Sequence, residues 1–258
     1  MPLDLAPRRS AAGRAIRWLD PLLDLVFPAV CPVCETRSDD PGPRPFCQPC
    51  WAALPAEAAP GCACCGVPFP GLDGTFPCDA CRRAPPPYAF ARAVAVYRDG
   101  IRAAIHALKF ARRPAVARPL GRWLAEAGAA ALPAPPAAWA DAVIPVPLHP
   151  GRLAERGFNQ AELLAAPCAE RWGLPLLGRA LVRVRPTVSQ TELDPAARLA
   201  NVRDAFRVVR PGDVQDRRVL LVDDVLTTGA TAGAAARALR RAGAAAVGVL
   251  VLARVAAR

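Results

Sequence analysis

Apolar residues gather along this chain into short runs separated by stretches with helical spacing. Val219 to Val222 is one such run, and Ala246 to Leu252 is another. Continuous apolar runs of this length suit strands buried on both faces of a parallel sheet. Further strands are predicted over Ala91 to Tyr97, Ala142 to Ile144, Leu181 to Val184 and Phe206 to Val209. Helices are predicted over Gly100 to Phe110, Arg118 to Ala131 and Ala232 to Leu239. This alternation predicts an α/β domain on a parallel sheet. Near the N-terminus, Trp18, Leu19, Leu22, Leu23, Val26 and Phe27 recur at helical spacing over 14–27. That helix either packs on the next part of the chain or lies on a membrane surface, and Asp20 and Asp24 weigh against the second reading.

The periodicity is lost in the cysteine-bearing stretch that ends at Ala84-Pro85-Pro86-Pro87. Pro and Gly are frequent there and apolar residues too few to build a core. The Pro run is read as a boundary between a domain over 1–85 and a domain over 86–258. Cysteines stand in for the missing core. Cys31 and Cys34 form a C-x2-C pair, Cys47 and Cys50 a second, Cys62 and Cys65 a third, Cys78 and Cys81 a fourth. Adding 31 to each position of the first four gives the second four, so a four-cysteine unit is duplicated. Each C-x2-C turn presents two thiolates, and two turns close a tetrahedral Zn²⁺ site. Two structural zinc sites are expected, with disulfides or one degenerate site as the alternatives. Pairing within each unit is simplest; crossed pairing stays open. Gly66 follows Cys65 as zinc knuckles favour, whereas Glu35 follows Cys34 and makes the first site less typical. Cys64 competes with Cys65 as a ligand, and Cys168 reads as a buried small residue.

The central run leads into chemistry. Val219 to Val222 is followed by Asp223 and Asp224, then Val225, Leu226, Thr227, Thr228, Gly229, Ala230 and Thr231, and then a helix. Ligands of open α/β sheets bind at the carboxyl ends of the strands. A helix N-terminus offers free N–H groups and partial positive charge to a phosphate. The Thr hydroxyls add donors, and Gly229 permits close approach or a positive φ. The two carboxylates suit sugar hydroxyls, or a hydrated Mg²⁺ shared with a pyrophosphate. Phosphoribosyl pyrophosphate (PRPP) carries all of these groups, and the thirteen positions 219–231 resemble the PRPP motif of type I phosphoribosyltransferases. The bland alternative is a buried strand with a capped helix.

Other polar positions are less specific. Lys109 is the only lysine, a point charge suited to phosphate or a chance resident of a solvated face. Pro145-Val146-Pro147-Leu148, with Arg156 and Asn159 beyond it, is a pyrophosphate-binding turn or merely a βα connection. The polar stretch from Arg185 to Asn201, with Gln190, has the length of a lid.

Composition adds limits. The 258 residues are 53% hydrophobic and carry a net charge of +11. That charge favours polyanionic partners such as nucleic acid, unless the Arg-rich composition only reflects codon usage. No run reaches the roughly 18 apolar residues of a membrane span. The basic start, broken by Asp20, Pro21 and Asp24, makes a poor export signal. A cytoplasmic protein is expected, where ten cysteines point to metal rather than disulfides.

Taken together, nearly the whole chain resembles the ComF family, also called ComFC or amidophosphoribosyltransferase-like competence proteins. The resemblance rests on the doubled cysteine unit, Ala107-Leu108-Lys109-Phe110, Pro145 to Leu148, Glu155 to Gln160, Arg198-x2-Asn201 with Ala205-Phe206, and the 219–231 motif. It implies a double zinc ribbon before a type I phosphoribosyltransferase domain, a Rossmann-like parallel sheet. It implies that Asp223 and Asp224 hold the ribose hydroxyls and Val225 to Thr231 the 5′-phosphate. The 145–148 turn with Arg156 would sit at the pyrophosphate, and 185–201 would close over the site. It implies Zn²⁺ in the ribbons, Mg²⁺ with PRPP, and a role in natural transformation on incoming single-stranded DNA; a separate reading makes the ribbons a docking site for a competence helicase and related uptake proteins. The alternative is a phosphoribosyltransferase acting on a base or small-molecule acceptor with no DNA role.

Overall fold

The computed structural model describes residues 30–36, 45–54, 61–69, 76–110, 113–185 and 204–256. The predicted 14–27 helix, and Gln190 with the rest of 186–203, lie outside the described residues. Among the described residues, six strands follow in chain order: β1 (Phe90–Val96), β2 (Ala142–Pro145), β3 (Leu181–Arg183), β4 (Phe206–Val208), β5 (Arg218–Leu226) and β6 (Ala246–Arg254). Four of them make one parallel sheet in the order β1-β6-β5-β2. The central pair, β5 and β6, is buried on both faces, as its continuous apolar runs require. Leu220, Val222, Leu250 and Leu252 join one core with Ile105, Leu120 and Leu164, from the helices Asp99–Lys109, Ala117–Ala131 and Gln160–Trp172. Val219, Leu221, Val247, Val249 and Val251 join a second core with Ala235 and Leu239 of the helix Ala230–Arg241. Each fully buried aliphatic side chain here contributes about 1.5–3 kcal/mol over its exposed state.

Two features differ from the sequence reading. β3 and β4 pair antiparallel as a separate two-stranded sheet, Leu181 opposite Val208, rather than extending the parallel one. They are three residues long and only Leu181 and Phe206 bury fully, too little apolar surface for an interior strand. The second difference bears on the site. β5 does not stop at Val222 but runs on to Leu226, paired with β6 throughout, so both acids lie within the strand. Cys168 is buried against the Leu164 carbonyl, and burial pushes its thiol up to about 12, as befits an inert core residue. Among the described residues, no helix is long and apolar enough to cross a membrane.

Candidate functional site

The two cysteine units fold alike. In the first, Glu35 N donates to Cys31 O and Cys31 N to Thr36 O; 31 residues on, Gly66 N donates to Cys62 O and Cys62 N to Val67 O. A one-turn helix follows in each, Gln48–Ala52 and Asp79–Arg83. Both knuckles need a left-handed residue after the second cysteine, with φ 58° at Glu35 and 64° at Gly66. The sulfur atoms of Cys31, Cys34, Cys47 and Cys50 lie within 4.8 Å of one another, as do those of Cys62, Cys65, Cys78 and Cys81. Pairing is therefore within units, and all ten cysteines are free thiols. Tetrahedral ligation at about 2.3 Å separates sulfurs by about 3.8 Å. Cys34 to Cys47 is 3.8 Å and Cys65 to Cys78 is 3.9 Å, so both sets fit structural zinc.

At the carboxyl end of β5 the chain turns through Thr227 and Thr228 into the 230–241 helix. Gly229 caps it at φ 82°, which favours glycine, and a Cβ there would lie a tight 3.0 Å from the Tyr88 hydroxyl. Thr228 Oγ1 accepts from Ala230 N at 3.4 Å, and Gly229 O accepts from Gly233 N at 2.7 Å. The first turn of this helix follows directly on the strand end, and a helix N-terminus placed there suits a phosphate.

The two acids divide. Adjacent strand residues leave the backbone in alternate directions. Asp224 is 2% exposed and its Oδ2 lies 2.8 Å from Lys109 Nζ, the last residue of the 99–109 helix. Burial alone would lower the Lys109 pKa, but the carboxylates of Asp224 and Asp223 outweigh it and hold the ammonium above its usual value. Asp223 is more open. Burial and the neighbouring Asp224 push its carboxyl up to about 8, against the pull of Lys109. Lys109, a point charge suited to phosphate in the sequence, is thus paired with the second acid rather than standing on a solvated face.

Pro145, Val146 and Pro147 continue from β2, beside Val222 of β5, and Val146 N donates to Val222 O at 2.9 Å. Asn159 holds this turn by donating Nδ2 to Val146 O at 3.2 Å, while its Oδ1 caps the 160–172 helix at Ala161 N. Arg156 Nη1 donates to Gln160 Oε1, and burial lowers the Arg156 pKa while both acids of β5 offset part of that. Beyond the turn opens a cavity of about 920 Å³, lined by Leu148, Leu176, Arg179, Arg183 and Arg210, with Glu162 and Asp213 also on its wall. Among the described residues, the buried polar or charged ones are Gln160, Asp224 and Arg254, all at this end of the sheet. Arg254 escapes a reading of the sequence. Its only signal is a charge closing eight otherwise apolar or small residues, 246–253.

Two family models match the chain, a double zinc ribbon domain over residues 22–82 and a phosphoribosyl transferase domain over 161–258. The DNA utilization protein YhgH of Salmonella typhimurium is 36% identical over 193 residues, covering 75% of this chain and 83% of that protein. The chain belongs to the ComF family. Competence protein F of Haemophilus influenzae is 39% identical over 115 residues, 44% of this chain and 50% of that one. Among solved structures, a Bacillus subtilis glutamine PRPP amidotransferase complexed with ADP and GMP aligns at 28% identity and a TM-score of 0.38. That alignment covers 57% of this chain and 30% of the other. As a ComF family member the chain joins a double zinc ribbon to a phosphoribosyltransferase domain, the architecture its sulfurs and parallel sheet express.

Proposed function

We propose that this protein binds PRPP at the carboxyl end of β5 and acts in DNA uptake, on incoming single-stranded DNA. The observation that carries the first half is the phosphate loop 227–231 closing on a strand end that holds Asp223 and the buried Asp224–Lys109 pair. Thr227 to Thr231 take the 5′-phosphate. Asp223, the more open acid, takes the ribose hydroxyls, and Asp224 lies beneath it against Lys109. The turn 145–147, with Arg156 and Asn159 behind it, faces the pyrophosphate. The residues fit Mg²⁺ as well: a carboxylate next to a diphosphate site suits a hard cation that keeps several waters. Bound there, Mg²⁺ neutralises the diphosphate.

The second half rests on family members named for DNA utilization and competence. It is supported by the net charge of +11 and by Arg179, Arg183 and Arg210 beside the site. A cytoplasmic location follows from this role. The test is fluorescence anisotropy of a labelled single-stranded oligonucleotide with the zinc-loaded chain, with and without PRPP and Mg²⁺, at 50 and 200 mM salt. Contacts to several phosphates should make binding fall at least about tenfold between those salts. A folded chain that binds no oligonucleotide at low salt, yet releases pyrophosphate from PRPP with a free base, would establish the base-directed transferase instead.

A further inference from the structure

The second cysteine unit and the phosphate loop share one buried side chain. Arg254 ends β6 opposite Leu226 of β5. Its Nε donates to Cys65 O at 3.1 Å. Its Nη1 donates to Leu226 O at 3.0 Å, to Thr227 O, and to Val255 O at 3.1 Å. One planar guanidinium thus ties the carbonyl of a zinc-ligating cysteine to the two carbonyls that open the phosphate loop. Its fork geometry fixes those carbonyls relative to each other, which a flexible ammonium could not do. The neighbourhood is closed around it. Ala91 N donates to Cys64 O at 2.7 Å, and Arg92 Nη1 to Ala63 O at 2.9 Å. Tyr88, on the exit from the second unit, sets its hydroxyl against Gly229, and Pro87 lies within 4 Å of where a Gly233 side chain would begin. The first unit makes no such contact with the loop among the described residues. It docks through Phe46, Leu54, Trp51 and Val33 on the helix-covered core.

We propose that Arg254 is a positioning residue that couples the second tetrad to the phosphate loop. Zinc at Cys62, Cys65, Cys78 and Cys81 sets how well residues 226–231 are ordered for phosphate, and a ligand in that loop sets how tightly the second zinc is held. The ligand arm rests on the PRPP reading given above; the loop-ordering arm does not. Coupling of this kind is reciprocal and changes each affinity by the same factor, on the order of tenfold.

The test is hydrogen exchange, read by mass spectrometry on the full chain, zinc-loaded and after stripping with a chelator. Wild type, Arg254→Met, Arg254→Lys and Cys34→Ser are compared. In wild type, stripping should speed exchange of the 226–231 amides. In Arg254→Met those amides should exchange fast even with zinc bound, and stripping should add little. Arg254→Lys should lie between. Cys34→Ser, which empties the first tetrad and spares the second, should leave 226–231 unchanged. In parallel, PRPP with Mg²⁺ should slow zinc transfer from the second tetrad to a chromophoric chelator about tenfold in wild type, an effect lost in Arg254→Met. Wild-type exchange at 226–231 that ignores zinc would overturn the coupling, even if PRPP binds. If stripping loosens 226–231 but PRPP does not bind, the coupling stands and the PRPP reading falls. Should Arg254→Met fail to fold, the zinc comparison in wild type and Arg254→Lys still decides.

Discussion

The two cysteine units share their cysteine spacing and knuckle geometry, yet the first attaches to the rest of the molecule chiefly by apolar burial, with one long hydrogen bond from Arg113 Nη1 to Val30 O at 3.4 Å, and the second chiefly by directed hydrogen bonds. The first docks by burial. Phe46 is 2% exposed, Trp51 meets Phe46 at 5.1 Å and Trp123 at 6.5 Å between ring centroids, and Val33 and Leu54 reach the start of the 99–109 helix. The second has Pro77, Arg82 and Cys64 at the positions equivalent to Phe46, Trp51 and Val33. It docks instead by backbone carbonyls received by Ala91, Arg92 and Arg254. Apolar docking is non-directional and tolerates small shifts. Hydrogen bonds to a rigid guanidinium hold a position. The duplicate nearer the phosphate loop is the one attached by the directional means, so a metal unit with one fold serves as an anchor in one copy and as a brace in the other.

Removing the metal should break the comparison most visibly. A structural zinc contributes about 10–16 kcal/mol to its own unit, so both Cys31→Ser and Cys62→Ser should lose one equivalent of zinc. Only Cys62→Ser should weaken PRPP binding, by about tenfold, as measured by zinc content and titration on the same samples. Equal loss of binding in the two variants would contradict the division. Next in size is the apolar anchor. Phe46→Ala should cost about 3–5 kcal/mol, whereas Pro77→Ala, exposed at the equivalent position, should stay within about 0.5 kcal/mol. Urea unfolding followed by tryptophan fluorescence separates these values, and similar losses at both positions would sink the idea of unlike docking.

The strand that leads into this loop carries a pH signature. Asp223 has its carboxyl raised to about 8, above the ordinary 3.8. The unfolded chain therefore holds fewer protons than the folded one between those values. The stability that this group contributes is full below pH 4 and is lost as pH climbs through 8. Accepting ribose hydroxyls or facing Mg²⁺ favours the carboxylate, so PRPP affinity should rise by up to roughly tenfold per pH unit from 6 to 8 and then level off. Asp223→Asn, titrated beside wild type to cancel the ligand's own protonation, should flatten that slope; an unchanged slope would assign the proton elsewhere.

The smallest effects lie in the knuckles. Glu35 sits at φ 58°, a conformation costing a non-glycine residue about 1–2 kcal/mol. Glu35→Gly removes that strain but adds freedom to the unfolded chain, for a net gain below about 1 kcal/mol. Gly66→Ala runs the other way, because its Cβ would lie 2.6 Å from the Ala91 carbonyl oxygen and force the brace off β1. Thermal melts of both variants, with PRPP titration of Gly66→Ala, measure the asymmetry.

Much of this is legible in the sequence where the chemistry is local. C-x2-C spacing places sulfurs within one turn, and the 31-residue offset carries that geometry to the second unit. The run into Asp223 and the Thr-Thr-Gly turn likewise encode strand, loop and helix start within thirteen residues. Legibility ends where a strand's limit or a long-range partner decides. Local pattern puts Asp223 and Asp224 past a strand that in fact continues to Leu226, because acids are poor strand formers in isolation and pairing with β6 overrides that preference. Nothing local links Lys109 to Asp224, 115 positions away, so the sequence leaves their pairing unread. Arg254 and Cys65 are 189 residues apart, and no pattern in either neighbourhood joins them.

The most direct test of the account is calorimetric titration of the zinc-loaded chain with PRPP and Mg²⁺, beside the Asp223→Asn/Asp224→Asn variant. The account predicts one PRPP bound per chain by wild type and its loss in a variant that still holds two zinc equivalents. A folded, zinc-loaded wild type that binds no PRPP would contradict it.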